Sequence, residues 1–245
     1  MKTGETMRWC GQYRVRANDI DCNQVVSATK ILQFMQDAAF SQMEANSPSY
    51  DDLFRQGLAF ILSKMQLIIH APLHSHDTIT AESWACPSKG LIFQRCYRIL
   101  REDEVVAEAI SAWALAGVHD RKLHRVTEVE LHYGTDEPLT LDVPSRLRIP
   151  ADLELTLAGE HTVKYADIDQ NIHMNNTVYA DMLCSFIPME NKRVASLQIN
   201  YQNEAPLGET IRIFHGLRDG VHYFRTYCGN DNINVEAEIV TEPIA

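Results

Sequence analysis

Asn18-Asp19-Ile20-Asp21-Cys22-Asn23-Gln24-Val25-Val26-Ser27 and Ala166-Asp167-Ile168-Asp169-Gln170-Asn171-Ile172-His173-Met174-Asn175 are two copies of one pattern, D-I-D-x-N, 148 positions apart (Asp19 to Asp167). A repeat decides the architecture before any single segment is assigned, because each copy marks one structural unit. Helical spacing follows each copy. In the first half Ile31, Leu32, Met35, Ala38, Ala39 and Met43 recur every three or four residues behind Ser27, an N-cap type. In the second, Val178, Tyr179, Met182, Leu183 and Phe186 do so, with Asn175 or Asn176 as cap and Pro188 as stop. Both helices are apolar over more than one face, so each is expected to be embraced by a sheet.

A second match, His70-Ala71-Pro72-Leu73 against Glu204-Ala205-Pro206-Leu207, is offset by 134 (His70 to Glu204). The drop from 148 to 134 gives the first half about fourteen extra residues between helix and sheet, at Asn46 to Gly57. Strand patterns come next: Ser63 to Ile69, Thr78 to Trp84, Phe93 to Leu100 and Val105 to Gly117, with Glu102-Asp103 between the last two. In the second half Thr210 to Leu217, Val221 to Gly229 and Ile233 to Val240 are separated by the turn signals Asp219-Gly220 and Asn230-Asp231. Pro138, Pro144 and Pro150 mark residues 137–150 as a semi-rigid linker. The fold class is therefore α+β: tandem units over residues 1–136 and 151–245, each an antiparallel sheet wrapped around a long central helix.

Composition narrows the function. A 45% apolar fraction over 245 residues supports a substantial core. The formal charge of −11 opposes non-specific attachment to nucleic acid or anionic membrane, so any anionic partner must meet a local basic patch. Such groups occur at Arg121-Lys122 with Arg125, at Arg146 and Arg148, and at Lys192-Arg193. The start, MKTGETMRWCG, has no apolar run of signal-peptide type, and Ala109 to Val118 is too short to span a bilayer. A soluble, cytoplasmic chain without membrane insertion is expected. The six cysteines form no CxxC pair and are expected to be reduced, with Cys184 packed in the second helix. His70, His74, His76 and Asp77 lack a further Cys/His set, so neither metal nor cofactor is expected.

The stretch from Asp167 to Tyr179 resembles the signature of the acyl-ACP thioesterases, D-x-D-x-N-x-H-x-N-N-x-x-Y, which opens that family's second hot-dog helix. Tyr201-Gln202-Asn203-Glu204 is similar to the family's tyrosine-to-glutamate strand segment, and Tyr13 to Leu53 to its first hot-dog opening. The resemblance covers nearly the whole chain and implies a double hot-dog fold, hydrolysis of fatty acyl-ACP to free fatty acid, and acyl carrier protein as partner. It also implies catalytic importance for Asp169, Asn171, His173 and Glu204. Where some relatives carry a cysteine directly after that glutamate, this chain has Ala205, so no cysteine acts there. An acyl-CoA thioesterase and a non-catalytic acyl-binding module are the alternatives; a monomer and a homodimer both fit.

Thioester hydrolysis needs a polarised carbonyl, an activated water or side-chain nucleophile, and an exit for a thiolate. Free N–H groups at the second helix start, near Asn175 and Asn176, are expected to stabilise the oxyanion. Asp169, Asn171 and His173 share one parity, so an extended stretch would point all three to one side. Glu204 or His173 would activate water, Asn171 would position water or carbonyl, and Asp169 would orient the cluster or act covalently. The first copy keeps Asp21 and Asn23 but has Val25 opposite His173 and His70 opposite Glu204. It should therefore shape an acyl pocket without acting.

Overall fold

The computed structural model describes residues 8–129, 131, 134–143 and 146–244; the readings of the first seven residues and of Pro144 lie outside them. In chain order the elements are β1 (Trp9–Arg14), α1 (Ala28–Glu44), α2 (Tyr50–Arg55), β2 (Leu58–Ile69), β3 (Thr78–Ala85), β4 (Phe93–Arg101), β5 (Glu104–Gly117) and β6 (Leu123–His124). The second half follows with β7 (Thr156–Thr162), α3 (Val178–Cys184), β8 (Lys192–Tyr201), β9 (Thr210–Arg218), β10 (Val221–Cys228) and β11 (Asn232–Pro243).

The strands form one sheet in the order β1-β3-β4-β5-β2-β8-β11-β10-β9-β7, with β6 beside β5. Read inward from either edge, the two halves have the same topology, as a duplicated hot-dog requires. Hairpin chemistry sets the meanders. Asp219 and Gly220 both take positive φ (51° and 79°), the pair a type I′ turn demands, and Glu102 does so at the β4–β5 turn.

The seam is the antiparallel pairing of β2 with β8, where Met65 lies opposite Ile199. These two are equivalent residues at the 134 offset, so a pseudo-twofold axis passes between them. Met65, Leu67, Leu197 and Ile199 are buried in a single apolar core with Ile31, Leu32 and Met35 of α1 and Met182 and Leu183 of α3. The two helices meet near the axis. Thr29 and Thr177 are again equivalents, and the Thr29 hydroxyl donates to the Thr177 carbonyl at 2.8 Å. The Asp181 carboxylate then accepts from the Ser27 hydroxyl (2.9 Å) and the Thr29 N–H (3.3 Å) at the start of α1. Burial pushes this carboxyl up from the usual range, against the pull of those donors.

The halves differ where the offset changes. Ser27 caps α1 as its sequence indicates, accepting from the Lys30 N–H, and α1 runs seventeen residues. The second central helix is not long: α3 has only seven residues and ends at Cys184, the counterpart of Gln36. The extra residues of the first half are thus not confined to Asn46 to Gly57. They comprise about two further turns of α1 and the capped helix α2, in which Ser49 and Asp52 form a capping box.

Past β6 the chain crosses the outer face of the sheet. Glu137 accepts from the Trp84 indole N–H at 3.0 Å, Leu139 packs on Trp84, Cys86 and Cys96, and Leu155 reaches Gly216 of β9. Among the described residues no helix is long and apolar enough to cross a membrane.

Replacing Asp181 by Ala strands the Thr29 N–H and Ser27 hydroxyl at the helix junction. We expect a loss of about 1–3 kcal/mol, measured by urea denaturation.

Candidate active site

Each D-x-D-x-N segment folds as a tight turn closed by a short antiparallel bridge, Ile20 with Val26 and Ile168 with Met174. In both, the central Asp closes the turn: Asp21 accepts from the Asn23 N–H at 2.8 Å and Asp169 from the Asn171 N–H at 2.8 Å. The equivalent residues Gln24 and Ile172 both take φ of 63°, in the left-handed region. The loop is therefore not extended, and strand parity does not gather Asp169, Asn171 and His173. The turn does. All three, with Glu204, line one cavity of about 1460 Å³.

His173 Nδ1 lies 3.3 Å from the Met174 carbonyl, a contact that favours the Nδ1–H tautomer and leaves a lone pair on Nε2. That Nε2 faces Glu204 Oε1 at 3.9 Å, beyond direct hydrogen-bond reach. Glu204 is not in a strand; β8 stops at Tyr201, and Glu204 occupies the following turn. Arg121, beyond the end of β5, donates to both its oxygens (3.2 and 3.4 Å). The turn is pinned by Asn234, which is fully buried and donates through Nδ2 to the Asn203 carbonyl (2.6 Å) and the Tyr179 hydroxyl (3.0 Å). Its Oδ1 accepts from Thr226 at 3.0 Å.

Asn171 accepts through Oδ1 from the Tyr50 hydroxyl at 2.9 Å, which leaves its amide NH2 as a donor at the cavity wall. Its counterpart Asn23 has a different fate, donating to the Met189 and Lys192 carbonyls and accepting from the Asn191 N–H. In the second half the short α3 lets that loop close over Asn23. In the first half the longer α1 and α2 hold the corresponding region open around Asn171.

At the start of α3 the Asn175 N–H donates to the Asp167 carbonyl at 2.8 Å, and Asn176 lines the cavity. Asn175 Oδ1 accepts the Thr177 N–H at 2.9 Å, and the Asn175 carbonyl accepts that of Val178, so both are spent on the cap. Asp169 is likewise occupied, its second oxygen accepting from Asn175 Nδ2 at 3.3 Å. Opposite His173, Val25 is buried in the first copy, and His70 pairs with Glu108 at 3.2 Å. Of the thiols, Cys228 lines the cavity but burial pushes it up, and Cys184 is pushed up to about 12, so both resist ionisation.

Tyr50, Arg121 and Asn234 escape sequence reasoning as site residues. Tyr50 has no counterpart in the other copy and Arg121 reads only as part of a basic cluster. Asn234 leaves one usable signal, a polar residue at an inward position of a strand.

Comparison with known proteins adds an independent line. The acyl-ACP thioesterase N-terminal domain model matches residues 7–132, and the acyl-ACP thioesterase C-terminal domain model matches residues 152–240. A chloroplastic acyl-[acyl-carrier-protein] hydrolase of Cuphea viscosissima is 21% identical over 209 residues, 78% of this chain and 51% of that protein. The chloroplastic oleoyl-acyl carrier protein thioesterase 2 of Arabidopsis thaliana is 26% identical over 202 residues, 73% of this chain and 54% of its own. The chain thus spans about half the length of the curated relatives it matches. Among solved structures, an acyl-ACP thioesterase from Bacteroides thetaiotaomicron superposes with TM-score 0.86 at 17% identity, covering 96% of this chain and 98% of that one. The 12:0-ACP thioesterase from Umbellularia californica gives 0.82 at 15% identity, covering 97% and 98%. At such identities these structures establish the shared fold.

Asn234→Ala removes the partners of the Tyr179 hydroxyl and the Asn203 carbonyl together. We expect a stability loss of about 1–3 kcal/mol in urea, with faster amide hydrogen exchange at Gln202 and Asn203.

Proposed function

The chain belongs to the acyl-ACP thioesterase family, and from that premise we propose that it hydrolyses a fatty acyl-ACP thioester to free fatty acid and ACP at the cluster of His173, Glu204, Asn171 and Asp169. The observation that carries this reading is the facing pair of acceptors, His173 Nε2 and Glu204 Oε1, 3.9 Å apart on the wall of a large, aromatic-lined cavity. A water donating one hydrogen to each acceptor presents its lone pairs to a thioester carbonyl.

Arg121 already donates to both Glu204 oxygens, whereas His173 presents the Nε2 lone pair, so His173 is assigned as the base and Glu204 as the group that orients the water. The Asn171 amide, held by Tyr50, donates to the carbonyl oxygen as it gains negative charge. A C–O bond forms, the C–S bond breaks, and the proton taken by His173 passes to the departing sulfur. Asp169 keeps the loop shaped, as Asp21 does in the other copy, and is assigned a positioning role rather than a covalent one.

The carrier's acidic surface would meet cations at the cavity mouth. Arg121, Lys122 and Arg125 are exposed there, and Arg146 and Arg148 lie exposed on the outer crossing. Lys192-Arg193 is not such a patch: Arg193 is buried, donates to the Ile69 and His70 carbonyls, and pairs with Glu242.

Three outcomes are expected. His173→Ala and Glu204→Gln each lower kcat on acyl-ACP by about 10²-fold or more, while His70→Ala, at the matching position of the first copy, leaves it unchanged. Titration of active sites in a single turnover gives one acyl group per chain; two per chain would overturn the assignment. Lys122→Glu with Arg125→Glu raises KM for acyl-ACP at low salt and leaves the matching acyl-pantetheine unaffected, whereas equal effects on both substrates would remove this patch as the carrier's landing site.

A further inference from the structure

Two thiols outside the proposed catalytic cluster are in contact. Cys86 Sγ lies 3.3 Å from Cys96 Sγ, and both are buried, free cysteines. The β3–β4 hairpin brings them together. Cys96 stands opposite Trp84, and the Cys86 N–H extends the ladder past β3 by donating to the Gln94 carbonyl at 2.9 Å. The two cysteines are therefore diagonal neighbours on one face of the hairpin. Trp84 completes this small cluster, and Leu139 packs against it.

The pair is polarised. Cys86 donates its S–H to Cys96 Sγ, and the Leu139 N–H donates to the same sulfur at 3.4 Å. These donors hold the Cys96 thiol below its usual range and keep the remaining proton on Cys86, so the pair titrates as one unit with a proton between its sulfurs. Cys86 also borders the cavity, beside Ala85 and Gln94. Transfer of the shared proton to Cys96 places the thiolate on Cys86, where a small molecule in the cavity meets it.

We propose that Cys86 and Cys96 are a reversible redox modification site, closed to a disulfide by hydrogen peroxide that enters through the cavity. The Cys86 thiolate attacks the peroxide, so an S–O bond forms, the O–O bond breaks and hydroxide leaves. Cys96 sulfur then attacks the Cys86 sulfenic acid, the S–S bond forms, the S–O bond breaks and a second hydroxide departs. The two thiol protons convert both hydroxides to water, and a dithiol reductant restores the pair. Neither thiol takes part in the chemistry assigned to His173 and Glu204, so failure of either reading leaves the other standing.

The test treats the reduced full chain with hydrogen peroxide, alkylates the thiols that remain, and digests with trypsin. Cleavage after Lys64, Lys89, Arg95 and Arg98 places the two cysteines in separate peptides, Met65–Lys89 and Cys96–Arg98. We expect these peptides to be joined in most chains, with the loss of two hydrogens, and to separate again in dithiothreitol. In Cys96→Ser the oxidation stops at a Cys86 sulfenic acid that dimedone traps. Exposed Cys10 and Cys22 gauge the oxidant dose. Both peptides remaining separate and alkylated when Cys10 and Cys22 are fully oxidised would overturn the proposal. A join that forms only after unfolding in urea would overturn it as well, since the folded geometry would then not be its cause.

Discussion

The antiparallel pairing of β2 with β8 is the constraint on which everything else in the molecule depends. Backbone hydrogen bonds across that seam make one sheet of two, and the equivalence of Met65 with Ile199 fixes the register of one copy against the other. A slip of one residue would turn Met65, Leu67, Leu197 and Ile199 out of the core together. With the register fixed, α1 and α3 meet at the axis, and the end of each half lies beside the loop of the other. Arg121 and Tyr50 from the first half can therefore hold Glu204 and Asn171 from the second. The site belongs to the seam rather than to either copy.

Duplication alone would give two equivalent loops, and the departures from symmetry explain why the two differ among the described residues. Asn23 and Asn171 occupy equivalent turns with the same backbone conformation. The first is sealed by the 189–192 loop, which the short α3 allows to approach; the second faces the space that the longer α1 and the inserted α2 keep open. The side chains then follow the space. Val25 fills a sealed position that would bury an imidazole, whereas His173 stands on the cavity wall, 22% exposed.

Much of this was legible in the residues. The repeat, its changing offset, the hairpin turns and the Ser27 cap are encoded locally, by residue types with a strong backbone preference at fixed spacing. The four residues marked by the motif do converge on one cavity, yet for a different local reason from the one parity offered, since an Asx-type turn with a left-handed residue replaces an extended strand. Helix length was not legible, because Val178, Tyr179, Met182, Leu183 and Phe186 keep helical spacing past the point where α3 stops. Tyr50, Arg121 and Asn234 were invisible as site residues because each acts across a long sequence separation. Only the closed sheet makes them neighbours.

The same comparison separates scaffold from chemistry within the motif itself. Asp21 and Asp169 make the same bond to the residue two ahead, so that carboxylate is explained by the turn and would be needed with no reaction at all. The left-handed conformation is also common to Gln24 and Ile172, although a β-branched residue resists it; the turn imposes it regardless of side chain. What the second copy adds over the first is an imidazole whose Nδ1 is committed to a carbonyl, a carboxylate facing its Nε2, and an amide turned toward the cavity. Those three differences coincide with the one place where the wrapped helix outgrows its partner and leaves room for a ligand. Geometry and chemistry change together there, which is the strongest physical reason to regard the duplicated loop as a fold element that one copy has converted to use.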